Sequence, residues 1–224
     1  MRGQELILTF HGLEGNGAGP PPGASEAERK VWVPREWLEA ILDALPRDGV
    51  EVAFDDGNAS DAEQALAPLA NRGASARFFV LAGKIGAPGH LTAAQIATLH
   101  EAGMTIGSHG LHHRDWRALP DEQLHEELVD SRRALEELIG ARVQEAACPF
   151  GSYDRRVLRA LRAAGYRRVY SSDGGCATTR AWLAPRSTVH RERPLEQWVA
   201  LAAAGARERP SPTRLGKRLV KRLR

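Results

Sequence analysis

The sequence predicts an α/β protein built as a single domain. Short apolar, β-branched runs alternate along the chain with segments of helical periodicity, an order that gives parallel strands covered by helices. The chain has 224 residues and 42% hydrophobic content, enough to enclose one sizeable core.

Taken in order, residues 6–10 read as the first strand, which ends at His11-Gly12. Residues 14–28 are rich in Gly and Pro, with Pro20, Pro21 and Pro22 in a row, and read as a loop. Residues 34–45 predict a helix, with Trp37, Leu38, Ile41, Leu42 and Leu45 on one face. A buried strand follows over 50–54, and Asp55-Asp56-Gly57 ends it. Ser60 with Glu63 three residues later is a helix-start signal for a helix over 62–71. Residues 77–81 read as a strand. Thr92 and Gln95 open a helix to residue 101, which Gly103 stops. A strand over 104–107 leads to His109, His112 and His113. An amphipathic helix over 122–139 ends at Gly140. A strand over 145–148 runs into the turn Pro149-Phe150-Gly151. A helix over 153–164, a strand over 168–171 and a closing helix over 195–206 complete the pattern.

Two strand ends carry the chemistry. Asp55 and Asp56 lie between a strand and a helix, at the carboxyl edge where α/β folds build sites. Adjacent residues of an extended chain point opposite ways. One carboxylate can therefore bind a cation while its neighbour stays free as a base. The alternative is a plain Asp-Gly turn. His109 and His113 are four apart, so on a helical turn or a tight loop both rings can face one point. Imidazoles suit zinc and similar metals, and a carboxylate completes an open three-ligand site. The same spacing also occurs on solvated helix faces. His11 falls at the same edge, against the alternative of a core or solvated histidine. For Trp32 and Trp37 the readings are sugar stacking or core packing, with core favoured for Trp37. For Trp116 they are pocket wall or core.

The stretches FDDG (54–57), SHGLHH (108–113) and CPFGSYD (148–154) together resemble the polysaccharide deacetylases, that is, carbohydrate esterase family 4 and its chitooligosaccharide-deacetylase-like members. The resemblance covers roughly residues 6–189. LTFHGL (8–13) is similar to the Tyr-His opening of a circularly permuted branch of that family. The resemblance implies a distorted (β/α) barrel of about seven parallel strands. It implies a divalent metal, zinc by preference, held by Asp56, His109 and His113. It also implies Asp55 as catalytic base, His11 as general acid and the Phe150 backbone N–H as an oxyanion donor. The implied reaction removes N-acetyl groups from an amino-sugar glycan, in bacterial exopolysaccharide or cell-envelope glycan metabolism.

One position departs from the family. Many members carry an arginine two residues before the proline, where this chain has Ala147. That arginine steadies the base. Arg186, in Leu-Ala-Pro-Arg, is the candidate replacement, with Asp173 to orient it and His190 as a rival general acid. Two other functions stay open. The same fold hosts deformylases of lipid-linked sugars and cyclic-amide hydrolases, and the Ala147 departure admits an inactive carbohydrate-binding module.

Net charge is only +3, so the body does not read as a nucleic-acid-binding surface. The excess lies in residues 210–224, which are rich in Lys and Arg and lack acids. Leu215, Leu219, Val220 and Leu223 fall there at near-helical spacing. This tail is set apart from a catalytic domain over 1–209. It reads either as a basic amphipathic segment able to lie on an anionic membrane or as a frayed soluble tail. Residues 1–5 precede only a five-residue apolar run, which is no signal peptide. The expected location is cytoplasmic, with peripheral contact at the inner membrane face through the tail. Cys148 and Cys176 make no disulfide framework, and the sequence offers no third partner that would make Cys176 a nucleophile.

Overall fold

The computed structural model describes residues 3–205, 216 and 219–221. The apolar runs form strands Gln4–Phe10, Val50–Phe54, Ala76–Val80, Thr105–Ser108, Glu145–Ala147 and Arg168–Ser171, each within two residues of its predicted ends. They lie side by side in that order and are all parallel. Leu183–Pro185 pairs beyond Arg168–Ser171, and Ser187–Thr188 pairs on the far side of Gln4–Phe10. These two outermost strands are consecutive in the chain, with only Arg186 between them. The chain thus leaves one edge of the sheet and joins the other. The expected barrel forms, and its last stave is broken in two at Arg186.

Alternation along each strand sorts side chains into two layers. Facing the helices, Phe10, Phe54 and Phe78 sit in register on three neighbouring strands and stack at 5.5 and 4.7 Å. Leu38, Ile96, Leu128 and Leu161 pack over this layer from the helices. The barrel interior is narrower and holds Ile7, Ala53, Phe79, Ala147, Tyr170 and Ala184. At the end where the strands start, Arg77 donates to Glu51 (2.7 Å) and Glu145 (2.9 Å), and Arg168 pairs with Glu5. That charged layer plugs the end opposite Asp55.

The interior is tight enough to dictate a residue. A Cβ on Gly107 would lie 2.5 Å from the Phe79 ring. A glycine is therefore needed there for space rather than for turn geometry.

Several local readings differ from the structure. Ser60 does not cap a helix. It already has right-handed helical φ/ψ, and its Oγ accepts the Leu13 N–H at 3.3 Å. Its hydroxyl serves a tertiary contact, and the segment that follows is a π turn, Asp61–Ala65, leading into Leu66–Asn71. Thr92 forms the expected capping box over Ala93–Glu101. The predicted loop ends early, because Ser25 and Glu28 cap a helix over Glu26–Val31. The predicted 153–164 helix begins at Arg155 with Asp154 as its cap, and Tyr153 is buried outside it. The long helix over 122–139 is interrupted by a second π turn, Glu126–Asp130. Trp116 is fully buried in the core, and Trp37 packs partly buried against it. Of the basic tail, Leu215, Leu223 and most neighbours lie outside the described residues, whereas Leu219 and Val220 are helical and exposed. Among the described residues, no helix is long and apolar enough to cross a membrane.

Gly107→Ala is expected to lower stability by roughly 1–3 kcal/mol through overpacking against Phe79. Urea unfolding followed by far-UV circular dichroism measures this as a lower midpoint at unchanged slope. An unchanged midpoint would show that the interior has room to spare.

Candidate active site

The site forms where the parallel strands end. The Asp55 N–H still bonds the Phe10 carbonyl at 2.9 Å, so its side chain keeps the inward alternation and is 1% exposed. Asp56 then turns left-handed, with φ of 74°. His109 follows directly on Thr105–Ser108, and its N–H bonds the Val80 carbonyl at 2.9 Å. The residues from His109 to His113 form a tight loop rather than a helical turn, and His113 is left-handed, with φ of 55°.

This backbone brings three ligand atoms together. Asp56 Oδ1 lies 3.5 Å from His109 Nε2 and 3.4 Å from His113 Nε2. Bonds of about 2.1 Å to one tetrahedral ion would set ligand atoms about 3.4 Å apart. The buried Asp56 Oδ1 has no hydrogen-bond partner, as an atom reserved for a cation requires. His109 Nδ1 sits 2.9 Å from the Ala147 carbonyl, which fixes the tautomer with the Nε2 lone pair facing Asp56. Burial pushes the His109 imidazolium down to about 3, so the ring is neutral at any working pH. Burial likewise lowers His113. The donor set fits a divalent ion.

Asp55 borders this set, with Oδ2 4.0 Å from His109 Nε2, but both its oxygens have another partner. Arg186 grips it with two parallel bonds, Nη1 to Oδ1 and Nη2 to Oδ2, both 2.6 Å. The guanidinium is fully buried and lies over the Phe79 and Tyr170 rings at 5.0 and 5.7 Å. Burial alone would raise the Asp55 carboxyl. Arg186 overrides that, with help from His109 and His11, and holds it well below the usual carboxylate range. Asp56 goes the other way: burial raises it to about 6, reinforced by the Asp55 charge and opposed by His11.

His11 Nε2 is 3.7 Å from Asp55 Oδ2, and the backbone carbonyl of His11 accepts from Asn58 Nδ2 at 2.7 Å. Phe150 is left-handed, with φ of 58°, and its exposed ring lies 4.4 Å from the His113 ring. The turn's own bonds use the Gly151 and Ser152 amides, which donate to the Cys148 and Pro149 carbonyls. His11, Trp32, Asp55, Asp56, His113 and Phe150 line one cleft of about 810 Å³. Trp32 packs against Gly12, beside His11.

Two of the sequence candidates are elsewhere. Asp173 does not orient Arg186. Its carboxylate accepts from Tyr153 Oη (2.8 Å), Ser171 Oγ (2.8 Å) and Lys221 Nζ (2.6 Å). His190 packs edge-on against Trp198 in a second cavity and is not in the cleft of His11. Cys148 is buried, and its thiol is pushed up to about 12 by that burial. Asn58 went unnoticed in the sequence, though it stands only two residues after Asp56. Asp61 did too. It is fully buried, and burial, followed by the nearby Asp56 charge, raises its carboxyl well above the usual carboxylate range.

A family model described as polysaccharide deacetylase matches residues 42–169. The Bacillus subtilis (strain 168) protein named "Putative polysaccharide deacetylase YxkH" is 27% identical over 184 residues, covering 77% of this chain and 66% of that protein. This chain therefore spans just under two thirds of that relative. The structure of Streptococcus pyogenes deacetylase PplD in complex with acetate matches with a TM-score of 0.78 at 18% identity, over 89% of this chain and 98% of that one. IcaB from Ammonifex degensii matches with a TM-score of 0.70 at 21% identity, over 90% of this chain and 97% of that one. At these identities the structural likeness is one of fold.

Arg186→Met is expected to cost roughly 3–5 kcal/mol, because it leaves the Asp55 charge buried and unpaired. Adding Asp55→Asn to the same chain is expected to recover part of that loss. Chemical unfolding of the metal-free single and double variants tests both, and equal stabilities for the two would contradict the pairing.

Proposed function

The chain belongs to the polysaccharide deacetylase family, and on that premise we propose that it is a metal-dependent hydrolase removing N-acetyl groups from an amino-sugar glycan. The convergence of Asp56, His109 and His113 on one point, with Asp55 beside them and paired to Arg186, carries this reading. One carboxylate and two neutral imidazoles suit zinc and leave coordination positions open. A bound zinc ion supplies Lewis acidity toward the amide carbonyl and lowers the pKa of water to about 7.

The chain's own groups supply the rest. Asp55 Oδ2 takes the proton of the attacking water. Its low pKa keeps it ionised at any working pH, at the expense of basicity, and the acidified water offsets that weakness. The Phe150 N–H, presented by the left-handed turn at the cleft rim, donates to the developing oxyanion. His11, next to Asp55, gives a proton to the departing amine, which is otherwise a poor leaving group. The C–N bond breaks, and the products are acetate and a free amino sugar. Trp32 lines the cleft but is buried, with its indole packed against Gly12, so it shapes the wall beside His11.

Zinc-reconstituted protein is expected to release acetate from N-acetylated chitooligosaccharides. Asp55→Asn is expected to retain zinc and lose about 100- to 10,000-fold in turnover, whereas His113→Ala is expected to lose zinc. Formate release from N-formyl sugars without acetate release would move the reading to a deformylase. Sugar binding without any release would move it to a binding module.

Zinc affinity is expected to depend on pH through Asp56. Its metal-free carboxyl is raised to about 6, so below that pH zinc must displace a proton from it. His109, lowered to about 3, has no proton to lose. Affinity should therefore climb as pH rises from 5 to about 7 and then level off. Calorimetry in buffers of different ionisation enthalpy reads the released proton, and a flat profile across that range would contradict the assignment.

A further inference from the structure

Glu127 is 1% exposed, sits in the π turn Glu126–Asp130 and belongs to none of the groups assigned above. Its Oε2 accepts the N–H groups of Leu111 (2.7 Å) and His112 (3.3 Å), two consecutive amides of the loop between the metal-site histidines. Left-handed residues flank them: Gly110 with φ of 85° and His113 with φ of 55°. Successive amides turned to one point in this way make a nest, a concavity suited to an anion. Here the anion is a side chain of the protein.

The fit is close. A Cβ on Gly110 would lie 2.4 Å from Glu127 Oε2, so glycine is required there by both the backbone angle and the carboxylate. The neighbouring amide is tied to the same helical stretch. Gly110 N–H donates to Ser108 Oγ (3.1 Å), which lies 2.8 Å from Ser131 Oγ, and Ser131 Oγ donates to the Glu127 carbonyl. The Ser131 proton is thereby used, so Ser108 supplies the proton between the two hydroxyls. Two consecutive amides of the loop thus end on this stretch of helix directly, and a third reaches it through the Ser108 and Ser131 hydroxyls. On the other side, the Gly110 and Leu111 carbonyls accept from Ala82 and Gly83 (2.9 and 3.1 Å).

Packing alone does not call for this residue. An apolar side chain would fill the same space without the desolvation cost of a carboxylate. The carboxylate contributes charge-assisted bonds that hold two amides in a strained turn. We propose that Glu127 is a positioning residue of the metal centre. By filling the nest it holds the left-handed turn that aims His113 Nε2 at Asp56 Oδ1. This rests on the metal reading given above and adds a residue that touches neither metal nor substrate.

The test uses the full chain, stripped of metal, with Glu127→Gln, Glu127→Leu and a control, Val157→Ala, which opens a cavity under another helix. Zinc is titrated against a competing chelator, and amide hydrogen exchange is followed in the metal-free proteins. The Gln variant is expected to bind zinc about tenfold more weakly and the Leu variant up to about 100-fold more weakly. Exchange should quicken at Leu111 and His112. Val157→Ala should lose stability with zinc affinity unchanged, so that weaker zinc binding in the Glu127 variants is separated from a general loss of stability. A folded Gln variant that binds zinc as tightly as the parent overturns the proposal, and this variant decides the matter if the Leu variant does not fold. A parent chain that binds no zinc overturns the metal reading itself, and this proposal with it.

Discussion

The buried pair between Asp55 and Arg186 joins the fold to the chemistry. Arg186 stands at the seam of the barrel wall, between the strand that completes one edge and the strand that completes the other. Its guanidinium reaches inward over Phe79 and Tyr170 and meets both oxygens of Asp55. Replacing such a pair by apolar groups is often neutral or favourable, so the pair is poorly explained as a device for stability. It is better explained as a constraint. Closure of the sheet places the guanidinium, and the guanidinium sets the ionisation and orientation of the carboxylate. Ala147 belongs to the same interior cluster as the two rings. A small residue on that strand is compatible with an arginine entering from the seam.

Two chemically identical neighbours acquire opposite properties from this arrangement. Asp55 has a guanidinium beside it and is held ionised. Asp56 is buried next to that charge without a paired cation, and its carboxyl rises toward neutrality. Environments that push paired carboxyls apart mark a division of labour between them. The backbone takes part in the separation. Among the described residues, four that are not glycine have positive φ, and three of them are Asp56, His113 and Phe150. Strain of this kind persists where the surroundings over-determine it. Here the surroundings include the nest filled by Glu127, the ladder that ends at Asp55 and the short turn after Pro149.

The two ends of the barrel differ in kind. Where strands begin, Arg77 pairs with Glu51 and Glu145, Arg168 pairs with Glu5, and the ion pairs close the interior. Where strands end, the polar groups have partners on one side only, and the open side faces the cleft. Asp56 Oδ1 and His11 Nδ1 are buried there without hydrogen-bond partners. The same strands thus carry an ion-paired layer at one end and the cleft-facing groups at the other, separated by the apolar belt of Ile7, Ala53 and Phe79.

Local patterns determined most of the strands and helices, because period and capping are properties of neighbouring residues. The Thr92 box formed since both partners lie within one turn. The Ser60 signal failed because a tertiary donor, the Leu13 amide, claimed the hydroxyl. The two-residue strands were invisible, since they are too short to show alternation. The grouping of Asp55, Asp56, His109, His113 and His11 was legible because each follows a strand, and parallel strands deliver their ends to one edge. Which of several identical polar residues would meet was not legible. Arg186 and Asp55 lie 131 positions apart, and nothing local separates Arg186 from other arginines, His11 from His190, or Glu127 from the other acids on its helix. Burial and long-range closure made those choices, because only the folded chain decides which charges are left without water and must find each other.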